Sequence, residues 1–150
     1  MKQRLEYYGL APELFEPLVA LENVLERSSL GKGLVELVKI RASQINGCAY
    51  CLDMHSRDAR SGGVPEQKLD VLAAFDESPI FDARERAALA WTEALTEVSQ
   101  RGAPQAIYAQ LEELFSDRER VDLTMAICAI NSWNRIAIAF RTLHPVRASG

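Results

Sequence analysis

The chain has 150 residues, with 17 Lys and Arg against 21 Asp and Glu, a formal net charge of -4 and 48% hydrophobic residues. That length suits one domain, 1–150, with a core that needs no covalent staples, and charge scattered in both signs offers no basic stripe for a phosphate backbone, which argues against nucleic acid. No apolar run approaches the roughly 20 residues of a membrane span, and the opening Met-Lys-Gln-Arg-Leu-Glu lacks a signal-peptide core, so the expectation is a soluble cytoplasmic protein with no membrane partner.

In chain order the pattern is helical almost throughout. Pro12 can open a first helix to about Arg27, with Leu14, Leu18, Leu21 and Leu25 at helical spacing. Ser28 to Gly33 interrupts it. A second helix from about Leu34 to Ile45 carries Glu36, and Asn46-Gly47 is a turn signal, after which a third helix carries Cys48, Cys51 and His55 and stops before Gly62-Gly63. Pro65 starts a short helix to about Phe75. Asp82 followed by Glu85 makes a capping box for a helix to about Gln100, with Gly102 as its stop. Pro104 opens another to about Phe115, and Ser116 with Glu119 caps a long final helix to about Thr142. The total is seven helices and no convincing strand, an all-α class.

Residues 36–55 concentrate the reactive side chains. Cys48 and Cys51 are three apart, which on a helix places them on one face with Cα atoms about 5 Å apart, within the reach of a disulfide. His55 lies four beyond Cys51 and stacks over the same face, closer to that sulfur than to Cys48. At a helix start, unpaired N–H groups favour a thiolate. A thiol with a pKa of about 8.5 is only about 3% ionised at neutral pH, whereas about 6 would give about 90%. That shift needs roughly 3.4 kcal/mol, and a helix terminus supplies at most about 2, so a second contributor is required, for which His55 is the candidate. An anion nearby would raise a thiol's pKa, so Glu36 must act as base, relay or orienter of His55.

The residues alone leave the order of attack open. Position at the helix start and greater exposure would favour Cys48, and the His55 spacing favours Cys51. Three cysteines are too few for a disulfide scaffold. Structural zinc would recruit Cys48, Cys51, His55 and a fourth ligand such as Cys128, but no second CxxC or paired histidine appears, and a thioredoxin-like fold would need strands around the motif. Cys128, set among Met125, Ile127 and Ile130, reads as a small buried hydrophobe. Asn131, Trp133, Asn134 and Arg135 could line a pocket, but polar groups on an apolar helix more often satisfy hydrogen bonds in the core or across subunits, and that structural role is the one expected; Trp91 and Phe140 read as packing aromatics, and His144 as solvated. The final helix, apolar on nearly every face in its middle, should be central or lie in a subunit interface.

With these residues in view the chain resembles the alkylhydroperoxidase D-like proteins of the carboxymuconolactone decarboxylase superfamily. A glutamate twelve residues before CxxCxxxH is met by Glu36, Cys48, Cys51 and His55, supported by Ala90-Trp91-Thr92-Glu93-Ala94-Leu95 and Ile130-Asn131-Ser132-Trp133-Asn134-Arg135. The resemblance covers about Leu34 to Phe140. It implies an all-α AhpD-like bundle with no metal and no organic cofactor, assembled as a homo-oligomer, trimer or hexamer. It also implies that Cys51, aided by His55, attacks a hydroperoxide, that Cys48 resolves the sulfenic acid to a disulfide, and that Glu36 completes the proton relay near Cys48. An external dithiol, lipoyl-type or thioredoxin-like, then reduces the pair. One position departs: better-studied members carry a histidine where this chain has Tyr50, and a phenol, with a pKa of about 10, is a poor base, which points to a slow peroxidase. The rival readings are a general dithiol/disulfide oxidoreductase, a redox-sensing subunit and, last, a decarboxylase-like lyase, whose branch lacks the cysteine pair.

Overall fold

In the computed structural model, residues 1–147 are described. Nine α-helices follow in order: α1 (Tyr7–Leu10), α2 (Pro12–Leu25), α3 (Lys32–Asn46), α4 (Ala49–Ser61), α5 (Glu66–Asp70), α6 (Ala83–Thr96), α7 (Val98–Arg101), α8 (Gln105–Leu114) and α9 (Asp117–Phe140). A 3-10 turn, Leu72–Glu77, lies between α5 and α6, and there is no strand among the described residues. The all-α class and the six long helices agree with the sequence reading. The seventh expected helix, from Pro65 to Phe75, is instead a short α-helix and the 3-10 turn, divided at Val71, whose backbone sits at φ -105, ψ 10. Likewise the helix expected to reach Gln100 ends at Thr96, because Glu97 (φ -104, ψ 32) breaks it before the single turn of α7.

α3 is the central strut. Val35, Leu37, Val38, Ile40 and Ala42 are all buried, because α4, α6 and α9 pack around it and leave no wet face over that stretch. On one side Val38 meets Trp91, Leu111, Phe115, Leu123 and Ile127. On another, Leu37 and Ile40 meet Leu72, Phe75, Phe81 and Leu89. A third cluster joins Ala42, Cys48, Cys51, Ile130 and Ala137, so the cysteine pair is part of the packed interior. In α2 the inward face differs from expectation: Leu14 is 66% exposed and Phe15 is buried instead. The ring of Phe15 packs at a tilt on Tyr7 and stacks with Tyr8 and Trp133, at centroid distances of 5.0, 5.7 and 6.5 Å, an aromatic set that helical spacing within α2 does not encode.

α9 is central, as expected, and packs on α2, α3, α4, α6 and α8. Its most apolar 18-residue window has a mean hydropathy of 1.2, enough in length and composition for a membrane span, which corrects the expectation that no stretch approaches one. Here that apolarity serves the bundle interior through Leu123, Ala126, Ile127, Ala129 and Ile130. One stripe faces outward: Val121, Met125 and Cys128 are exposed. The buried placement expected for Cys128 is therefore wrong, because it lies three residues after Met125 on the outer stripe of a helix whose other faces are covered.

Helix ends are closed by local chemistry. Asp82 with Glu85 and Ser116 with Glu119 both form the reciprocal capping boxes anticipated from sequence. At the other end of α9 the Arg4 backbone N–H donates to Phe140 O, and Arg4 Nη1 to Ala139 O, both at 2.9 Å, satisfying last-turn carbonyls that would otherwise be orphaned. Glu119 also accepts Arg84 Nη2 at 3.0 Å, and the Ser116 N–H with the Arg84 guanidinium lowers its pKa from the usual 4.5 to about 2. A depressed carboxyl adds stability above its unfolded value and loses it as pH falls toward the folded one. Glu119→Gln is therefore expected to destabilise the protein by about 1 kcal/mol at neutral pH, with the gap from wild type closing as pH drops from about 4.5 to about 2 in urea titrations.

Candidate active site

The site begins with a tight reversal of the chain. α3 ends on Gly47 at φ 70, ψ 35, a left-handed conformation that any side chain would strain, and the Cys48 N–H donates to Ser43 O at 3.0 Å. Cys48 is then the N-cap of α4, with extended backbone, and its sulfur accepts the Cys51 N–H at 3.4 Å. Thus α3 folds back on α4 as a hairpin, and residues nineteen apart meet: His55 Nδ1 and Glu36 Oε2 are 2.9 Å apart, both side chains buried. A carboxylate only accepts, so the pair places the proton on Nδ1 and leaves Nε2 as the free ring position. Of the three roles open to Glu36 from sequence, this contact is the geometry that orienting His55 would use.

Cys48 and Cys51 are joined as a disulfide with Cα atoms 5.4 Å apart, close to the helical spacing expected. Their access differs. A cavity of about 370 Å³ is lined by Cys51, His55, Glu36 and Tyr50 but not by Cys48. Cys48 is 1% exposed and Cys51 2%, so the greater exposure that would have favoured Cys48 does not exist. Because the α4 N-terminal N–H points at Cys48, the helix end stabilises charge on Cys48. Cys51 instead has the cavity and His55, one helical turn on.

The hairpin is pinned from behind by amides. Asn46 Nδ2 donates to Asn131 Oδ1 and Asn134 Oδ1, each at 2.9 Å, and the fully buried Asn134 donates through Nδ2 to Ser43 Oγ at 3.0 Å. Asn131 Nδ2 in turn reaches Thr96 Oγ1 at 3.1 Å. The polar residues of α9 therefore satisfy core hydrogen bonds as anticipated, and they do so at the turn that holds Cys48. Trp91 is buried, its Nε1–H donating to Thr124 Oγ1 at 3.1 Å, Phe140 stacks on Tyr7, and His144 is exposed. Cys128, the fourth ligand of the zinc alternative, borders a different groove with Leu95, Val98 and Arg135 and does not join the cysteine pair.

Several cavity residues were not legible as site residues. Tyr7 and Tyr8 supply ring walls, and Lys39, 4% exposed, bonds Glu22 across from α3 to α2; Trp133, also a wall, is the one member of its cluster that lines this cavity, the pocket-lining place weighed from sequence. Lys39 had one available signal, its position three after Glu36 on the same helix face. Tyr7 and Tyr8 had none, since α1 reaches the cavity only by docking on Phe15 and Phe140.

The fold and site define an all-helical protein with a dithiol pair at a helix start, backed by a buried histidine–carboxylate couple. The chain belongs to the carboxymuconolactone decarboxylase family, whose sequence model matches residues 12–94, and its fold is AhpD-like. It is 41% identical over 139 residues to the uncharacterized protein YdfG of Bacillus subtilis, covering 93% of this chain and 95% of the relative. Among solved structures, a protein of unknown function from Agrobacterium tumefaciens, suggested to be an antioxidant defence protein AhpD, matches at 44% identity and a TM-score of 0.93, over 97% of this chain and all of that one. An uncharacterized peroxidase-related protein from Silicibacter sp. TM1040 matches at 28% identity and a TM-score of 0.80, over 91% of this chain and 72% of its own.

Proposed function

We propose that the chain is a thiol peroxidase that reduces organic hydroperoxides through Cys51 and Cys48. The observation that carries this reading is the placement of Cys51, His55 and Glu36 on one ring-walled cavity from which Cys48 is withheld. With the pair reduced, His55 Nε2 takes the Cys51 proton, and the thiolate attacks the terminal oxygen of the hydroperoxide. The O–O bond breaks, the leaving alkoxide receives the proton from His55 as an alcohol, and Cys51 becomes a sulfenic acid. Cys48 attacks that sulfur and expels water, closing the disulfide. A dithiol then returns two electrons and two protons.

Tyr50 borders the cavity where a second base would stand, so proton transfer rests on His55 alone, which suits modest turnover. Cys51 is a residue only 2% exposed that opens on a cavity rather than on a flat surface, which favours small or extended ligands over general exchange with the disulfides of folded proteins. The test is consumption of cumene hydroperoxide with dihydrolipoamide as reductant. Sustained turnover well above that of an equimolar simple thiol is expected. Reversible closure of the Cys48–Cys51 disulfide without peroxide turnover would refute the peroxidase and leave disulfide exchange or sensing.

A further inference from the structure

The cavity at Cys51 carries an uneven set of charges. Inside it, each carboxylate has a partner: Glu36 is hydrogen-bonded to His55, and Glu22 is ion-paired with Lys39. At its rim stand Glu26, the residue that caps the C-terminus of α2, and Asp58, on the cavity-facing side of α4. Glu26 is exposed and Asp58 half-buried, and neither carboxylate has an ion-pair or hydrogen-bond partner among the described residues. A ligand in this cavity therefore meets two unpaired carboxylates together with low-dielectric aromatic walls, where fields are focused.

We propose that Glu26 and Asp58 are specificity-determining residues, an electrostatic filter that admits uncharged or cationic ligands to Cys51 and disfavours carboxylates. The inference rests on Cys51 being the reacting sulfur of the proposed function, but not on peroxide being the oxidant. It applies to both ligands of the cycle, so the hydroperoxide is a neutral or cationic organic one and the dithiol is amide-like rather than acid-terminated.

The reductive half of the cycle tests it without any peroxide. One sulfur of the dithiol attacks Cys51 Sγ, the Cys48–Cys51 bond breaks, and Cys48 leaves as a thiolate stabilised at the helix start. The second sulfur closes the lipoyl ring and releases Cys51, so two electrons and two protons pass to the pair. Dihydrolipoamide and dihydrolipoate differ by one carboxylate charge, and their intrinsic reactivities are calibrated on bis(2-hydroxyethyl) disulfide. After that correction, rapid-mixing reduction of the oxidised protein should be roughly tenfold faster with the amide. The ratio should fall toward one in the E26Q/D58N double variant, in part in E26Q alone, and in about 1 M NaCl, where the Debye length is only about 3 Å.

A ratio near one in wild type, a ratio retained in the double variant, or no reduction by either dithiol would overturn the filter. Failure of the peroxidase reading looks different: cumene hydroperoxide is not consumed, while the two dithiols still discriminate.

Discussion

Cys51→Ser is expected to abolish peroxide turnover, by roughly 10³-fold or more, whereas Cys48→Ser should reduce about one equivalent of hydroperoxide per chain and then stop. The asymmetry follows from which sulfur each part of the site serves. Cys51 lines the cavity with His55, while Cys48 is enclosed by Ala42, Ile130 and Ala137 and accepts the α4 N–H. A buried, helix-capped sulfur is a good resolving and leaving group, because the dipole that favours its thiolate does not require solvent access. In the Cys48→Ser protein a dimedone-type reagent should therefore trap the sulfenic acid on Cys51, located by peptide mass. Adduct on Cys48 in the converse variant, with turnover retained in Cys51→Ser, would reverse the assignment.

Features whose causes are local in sequence were legible, and those whose causes are tertiary were not. The capping boxes of Asp82–Glu85 and Ser116–Glu119, the turn at Gly47 and the cysteine spacing all depend on neighbours within four residues, and each is present as read. The choice of Phe15 over Leu14 as the buried residue of α2 depends on Tyr7, Tyr8 and Trp133, which arrive from elsewhere in the chain. Cys128 shows the same limit. Its neighbours in sequence are apolar, yet the bundle covers three sides of α9 and leaves Cys128 on the fourth with Val121 and Met125. The Glu22–Lys39 pair joins α2 to α3, so neither residue announces itself alone. Glu36 was singled out by the motif spacing alone, whereas its hydrogen bond to His55 depends on the α3–α4 hairpin and could not be read from either helix by itself.

Glu36→Gln should lower kcat/KM for hydroperoxide roughly 10²-fold while changing the fold little, since the amide keeps the size of the carboxyl in a buried setting. A carboxylate can only accept, which holds the proton on His55 Nδ1 and keeps Nε2 free to act on Cys51. An amide can also donate, so the ring can take the opposite tautomer or rotate, and the base is then misplaced or lost. His55→Ala should cause a comparable loss, and the Glu36→Gln/His55→Ala double variant should be little worse than either single, because the two residues act as one unit. The diagnostic readout is the rate of Cys51 alkylation across pH with a small neutral electrophile. If Glu36 works by holding His55, both single variants displace that profile in the same sense and to a similar extent. Additive losses, or a profile moved by His55→Ala but not by Glu36→Gln, would instead place Glu36 on a separate proton path, as the relay near Cys48 implied by the family resemblance would require.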